Sequence, residues 1–151
     1  MYTFNRFVFR QRKMYETALN EIKNGKKKCH WMLYIFPQMR GVGTSYKSSV
    51  FSLDGVEEAR AYLAHPLLGQ RLIECTRALL AHKDKSAEEI FGDIDANKLR
   101  SCMTLFSEAC ISRSVFDDVL DLFFDGKKDE KTVRLLYGDR VVGKILPPFE
   151  S

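Results

Sequence analysis

Apolar positions in this chain recur three and four residues apart. Phe4, Phe7, Val8, Gln11, Met14, Tyr15, Ala18, Leu19 and Ile22 keep that spacing, with Gln11 as the polar interruption. One face of a long first helix is therefore set for burial. Asn24-Gly25 ends it, because glycine enters the left-handed cap conformation without a Cβ clash. Residues 28–36 are apolar nearly all round and fit a buried strand or a buried helix; with no other segment reading as a strand partner, a helix is expected. Asp54 with Glu57 has the spacing of a capping box for a helix through Ala64, with Val56, Ala59, Tyr62 and Leu63 inside. His65-Pro66 restarts the chain for a helix to about His82, carried by Leu68, Leu72, Ile73, Cys75, Thr76 and Leu79. Ser86 and Glu89 open a short turn that Gly92 closes. Asp95 is positioned to cap a helix striped by Leu99, Cys102, Met103, Phe106 and Ala109. Ser114 and Asp117 open another, with Val115, Val119, Leu122 and Phe123 facing in. Asp129 caps a last one bearing Val133 and Leu136. The pattern predicts an all-α fold, one compact multihelical domain of about six to eight helices. Its core spans 4–136, and an irregular tail rich in Gly and Pro covers 137–151.

Composition adds bounds. A chain of 151 residues, 45% hydrophobic and 29% charged, has the size and content of one globular domain. No apolar run approaches the ~18 residues of a membrane span, and arginines interrupt the N-terminal segment where a signal peptide would be continuously apolar. A cytoplasmic monomer is expected. Cys29, Cys75, Cys102 and Cys110 form no Cys-x-x-Cys pair and lie at no zinc-like spacing from His30, His65 or His82, so free thiols and no metal are expected. Whether a cofactor is bound is left open by the sequence.

Charge is unevenly placed. Residues 1–50 hold ten Lys/Arg against two Asp/Glu, whereas residues 51–126 hold eight against fourteen. The basic third contains the segment KKKCHWMLYIFPQMRGVGTS, Lys26 to Ser45. Trp31 and its apolar neighbours lead straight into Gln38, Arg40, Gly41 and Gly43. A guanidinium fork beside glycine backbone suits a carboxylate or phosphate. The same loop equally suits a tight turn in which Arg40 pairs with an acidic side chain. His30 matters only if it shares a cleft with such cations. A second cluster, Lys98, Ser101 and Thr104, follows on one helix; its hydroxyls either line a pocket or bond back to helix carbonyls. The Gly-x-Gly pair lacks phosphate-loop spacing, and no serine sits in a nucleophile elbow.

Three segments carry a resemblance. His-Trp-Met, Phe-Pro-Gln and Gly-x-Gly lie between His30 and Gly43, His-Pro-x-Leu-Gly-x-Arg-Leu runs from His65 to Leu72, and Lys-Leu-x-Ser-x-Met-Thr-Leu-Phe runs from Lys98 to Phe106. Together they resemble the domain-of-unknown-function family DUF1810 over roughly residues 4–136. Leu33 replaces the usual second aromatic, and Ser101-Cys102 replaces a Ser-Ser pair. The resemblance implies a single multihelical domain and no established activity. The calpastatin-like label sometimes attached to such proteins sits badly with core-forming stripes in nearly every segment. For a remoter similarity to proteins acting on ADP-ribose-type nucleotides, the catalytic acid and Trp-Gly segment have no convincing match.

Two functions compete. One is a small-anion site, for a nucleotide or ADP-ribose derivative, built from the 30–45 and 98–106 segments with Arg71 nearby. The other is an interaction module using Arg6, Arg10, Lys13 and Lys23 on the first helix for an acidic protein or nucleic acid. Against nucleic acid stand the lack of a known binding motif and the acidic middle of the chain. Whether the protein is an enzyme is left open by the sequence.

Overall fold

A computed structural model describes residues 2–138; the expected irregular tail lies outside these from residue 139 on. The long first helix, α1 (Asn5–Asn24), buries Phe7, Gln11, Tyr15, Ala18, Leu19 and Ile22 and ends at Gly25, whose φ is +76°. Gln11, the polar interruption of the stripe, has a structural use. Its amide donates to the Tyr34 carbonyl (2.7 Å) and the Tyr62 hydroxyl (3.3 Å), joining three segments inside the core.

The apolar run that follows is not one helix. Only α2 (Met32–Ile35) is helical, and the chain then extends as β1 (Gln38–Met39). Its partner is β2 (Ser52–Leu53), paired in parallel with Gln38 opposite Ser52 and Met39 opposite Leu53. Strands this short cannot show the alternation by which strands are read. Between them lies α3 (Tyr46–Val50), opened by Ser45, whose hydroxyl accepts from the Ser48 N–H at 3.0 Å.

α4 (Val56–Ala64) begins differently from the expected box. Gly55 is its cap position, Glu58 rather than Glu57 accepts the Asp54 N–H at 2.6 Å, and the Asp54 carboxylate turns to Arg40. α5 (Leu68–Leu79) is capped by His65, whose Nδ1 accepts from the N–H groups of Leu67 and Leu68, both at 3.1 Å. His82, read as its end, lies in the turn beyond, where its Nε2 meets the Ile22 carbonyl at 2.6 Å. α6 (Ala87–Phe91) has the full Ser86–Glu89 box.

Gly92 then caps α7 (Asp93–Ala109), three residues before the expected cap Asp95. Asp95 is therefore inside the first turn, and its carboxylate goes to lysines instead of backbone. α7 is the central element, with every residue from Ser101 to Ser107 buried; α4, α6, α8, α9 and β1 pack around it. α8 (Val115–Phe124) carries the predicted Ser114–Asp117 box, but its inner face is Phe116, Val119 and Leu120, and Leu122 is exposed. The cap fixed the start and left the rotation to packing against α7. Asp129 caps α9 (Glu130–Tyr137), accepting from the Thr132 N–H at 3.0 Å. Among the described residues there are thus nine helices and two very short strands, which places the fold in the all-α class. No described helix is long and apolar enough to cross a membrane.

Candidate functional site

One carboxylate organises the loop after α1. Glu21 accepts from the N–H groups of Lys28 (2.7 Å) and Cys29 (3.0 Å) and from Trp31 Nε1 (2.8 Å). Burial alone would raise its pKa, but these donors outweigh burial and hold it near 2. The bent loop sends Trp31 fully inward and leaves His30 exposed. The Lys27 N–H donates to the Ile90 carbonyl at 2.8 Å, which brings the start of α7 alongside.

Here the chain forms a hollow of about 150 Å³. Lys27 and His30 come from the loop, Met32, Leu33 and Tyr34 from the α2 segment, Lys47 from α3, and Asp95 and Lys98 from the first turns of α7. Asp95 pairs with Lys27 at 2.8 Å and with Lys98 at 3.5 Å. The Lys27 and Asp95 side chains are only 10% and 17% exposed, whereas Lys98 is 31% exposed and more open to a ligand. The Lys47 ammonium lies 5.9 Å from the centre of the Tyr34 ring. Three ammonium groups and an imidazole thus meet a single carboxylate, and an anion entering the hollow would rebalance that charge.

Of the residues singled out from the sequence, His30 and Lys98 come together here. Trp31 lies behind them, with Lys27 Nζ 5.3 Å from its ring centre and no surface of its own. Gln38 is buried in β1. The Arg40 guanidinium pairs with Asp54 and donates to the Ser49 carbonyl at 2.8 Å. Gly41 has φ of +98° and a Cβ there would touch Leu135 at 3.3 Å; a Cβ on Gly43 would lie 2.5 Å from the Ser48 hydroxyl. Gln38, Arg40, Gly41 and Gly43 therefore belong to the base of the α3 loop. Arg71 sits elsewhere, 4.5 Å from the Tyr15 ring centre and within 3.4 Å of Gln11 Oε1. Ser101 and Thr104 are buried and donate to the carbonyls of Asn97 (3.1 Å) and Arg100 (2.8 Å); Thr104 also accepts the Asp129 N–H at 2.9 Å. On α1, Arg6 clamps the same α3 loop, donating to the carbonyls of Val50 (2.7 Å) and Ser52 (3.0 Å). Sequence reasoning misses Lys27, one of three consecutive lysines, and Lys47, for which no local pattern exists. Asp95 had been assigned to a cap.

A larger hollow of about 330 Å³ lies between the start of α4 and α9, where Asp54, Glu57 and Glu58 meet Leu135 and Tyr137. Asp54 and Glu58 are already engaged there. Among the described residues, no three His, Cys, Asp or Glu side chains are grouped to hold a metal ion.

Comparison with known proteins places this architecture. The family model described as a protein of unknown function (DUF1810) matches residues 1–136. The chain belongs to the DUF1810 family. A solved structure, described as the conserved hypothetical protein Rv1873 from Mycobacterium tuberculosis, superposes with a TM-score of 0.85 at 42% identity. The match covers 87% of this chain and 94% of that one. No curated protein shows significant similarity to it. The DUF1810 segment His-Pro-x-Leu-Gly has a structural explanation in this member: His65 caps α5, and Gly69 lets α5 approach the α4 backbone, since a Cβ there would lie 2.0 Å from the Leu63 oxygen.

Proposed function

We propose that this DUF1810 protein binds a phosphate-type anion in the hollow between the 27–34 segment, α3 and the start of α7. The observation that carries the reading is the convergence of Lys27, Lys47, Lys98 and His30 on one concave spot that Asp95 alone opposes. Lys98 and Lys47 are the main ligand contacts, and Lys27 is held by Asp95 as a fixed background charge. The hollow is smaller than the ~300 Å³ at which sites for drug-sized molecules begin. It suits a phosphate group, either free or at the end of a larger molecule such as a nucleotide whose remainder lies outside. The lining offers three ammonium groups and an imidazole, which hold an anion by charge and by hydrogen bonds.

Calorimetric titration with inorganic phosphate tests this. Lys98→Ala and Lys47→Ala are each expected to weaken binding by about 1.5–3 kcal/mol, the range for a hydrogen bond to a charged group, with melting temperatures little changed. Arg40→Ala is expected to melt lower and to keep phosphate affinity. Unchanged affinity in both lysine variants would remove the hollow as the site.

A further inference from the structure

The positive surface is longer than the hollow. Arg10 of α1 places its guanidinium carbon 5.3 Å from the centre of the Tyr34 ring, and the Lys47 ammonium lies 5.9 Å from the same centre. Two elements distant in sequence thus bring cations to one ring, and that ring lines the hollow with Lys47, Lys98 and Lys27. Arg10 and Lys47 meet at Tyr34, and Lys47, Lys98 and Lys27 share the hollow, a row of four cations. Two aromatic side chains on the elements that carry these cations, α3 and α1, stand in solvent: Tyr46 is 85% exposed and Phe9 58%. Phe9 precedes Arg10 and shares a face of α1 with Arg6 and Lys13 by i, i+3 and i+4 spacing; Tyr46 precedes Lys47. Neither ring supports the core.

The geometry points to this row as a binding surface for single-stranded nucleic acid. The inference rests on the anion reading of the hollow, which would take one phosphate while Arg10 and Lys47 take its neighbours. Tyr46 and Phe9 give bases a face on which to stack. Each exposed ring neighbours a cation in sequence, Phe9 before Arg10 and Tyr46 before Lys47, and stacking faces combined with positive charge are what single strands require. A duplex hides its base faces from such rings, so unpaired strands fit better. The acidic middle of the chain, which by composition opposes nucleic acid, contributes only Asp95 to the hollow, and Lys27 and Lys98 hold that carboxylate.

Fluorescence anisotropy with labelled oligo-dT and oligo-U tests the inference across a salt series, with inorganic polyphosphate and polyglutamate as competitors. Binding is expected to fall with salt, with a log–log slope of about −0.7 per phosphate neutralised. Arg10→Ala should make that slope shallower by about 0.7. Tyr46→Ala should weaken oligonucleotide binding about tenfold through lost stacking while leaving polyphosphate binding unchanged. Equal loss of both ligands in Tyr46→Ala, or competition by polyglutamate as strong as that by polyphosphate, would overturn the assignment to nucleic acid. Inorganic phosphate, titrated in parallel, separates the two readings: phosphate binding without oligonucleotide binding defeats this inference and leaves the anion site standing. Failure of phosphate to bind defeats the anion site itself.

Discussion

Glu21 shows how much structure one carboxylate can fix. Three N–H donors converge on it, one of them from a tryptophan with no exposed surface. Removing the acceptor strands those donors, and a buried donor left unpaired costs about 1–3 kcal/mol. Glu21→Ala is therefore expected to destabilise the protein by that amount in urea titrations and to shift tryptophan emission. The pH dependence has a definite sign. The folded carboxyl titrates near 2 against an ordinary value of 4.5, so its ionised form favours the folded state. That contribution is complete above pH 4.5 and is lost as pH falls towards 2. The stability gap between wild type and Glu21→Gln should narrow over the same window. A gap independent of pH would show that charge is not what these donors need. None of this was visible in the sequence, where Glu21 is an ordinary polar residue near a helix end; its partners are defined only by the bend at residues 28–31.

Gly69 makes the corresponding case for a pair of helices. Alanine usually favours a helix over glycine, and Gly69→Ala in the first turn of α5 would ordinarily be mildly stabilising. Here the added methyl would meet the Leu63 oxygen at 2.0 Å, and a backbone atom cannot swing aside. The substitution is expected to cost about 1–3 kcal/mol by overpacking, seen as a lower urea midpoint with an unchanged slope. Elements such as α6, α8 and α9 were legible because their caps are local: Ser86 with Glu89, Ser114 with Asp117 and Asp129 with Thr132 act over three residues. The starts of α4 and α7 were misread for a related reason. Asp54 and Asp95 have the composition of caps, but Arg40 and Lys27 reach them from far along the chain. Local spacing carries no record of that competition. Nor did it reveal β1 and β2, which are too short for a period of two.

Across the whole molecule, the core sorts the thiols. Cys75 and Cys102 are fully buried, while Cys29 and Cys110 are half-buried. Burial pushes Cys75 up to about 12 and Cys102 well above the ordinary thiol range, so neither offers a thiolate near neutral pH. A thiol reagent at pH 8 should label Cys110, and Cys29 more slowly because its hydrogen bond to Glu21 raises that thiol, and should reach the other two only after global unfolding. Four equal rates would mean that α5 and α7 open together far below the unfolding threshold. The all-helical class was legible because it follows from periodicity in every segment, whereas the lysine-lined hollow was half legible: His30 and Lys98 stood out, and Lys47 could not, since only the path of residues 40–51 brings it there. That path has its own consequence. β1 pairs with β2 at its base, Arg40 ties its start to Ser49 and Asp54, and Arg6 grips the carbonyls of Val50 and Ser52. The excursion is therefore shut at the neck like a drawstring bag, and α3, which buries none of its own residues, is the contents. Such a segment is expected to tolerate changes on its outer face while the helical body beneath it keeps its packing.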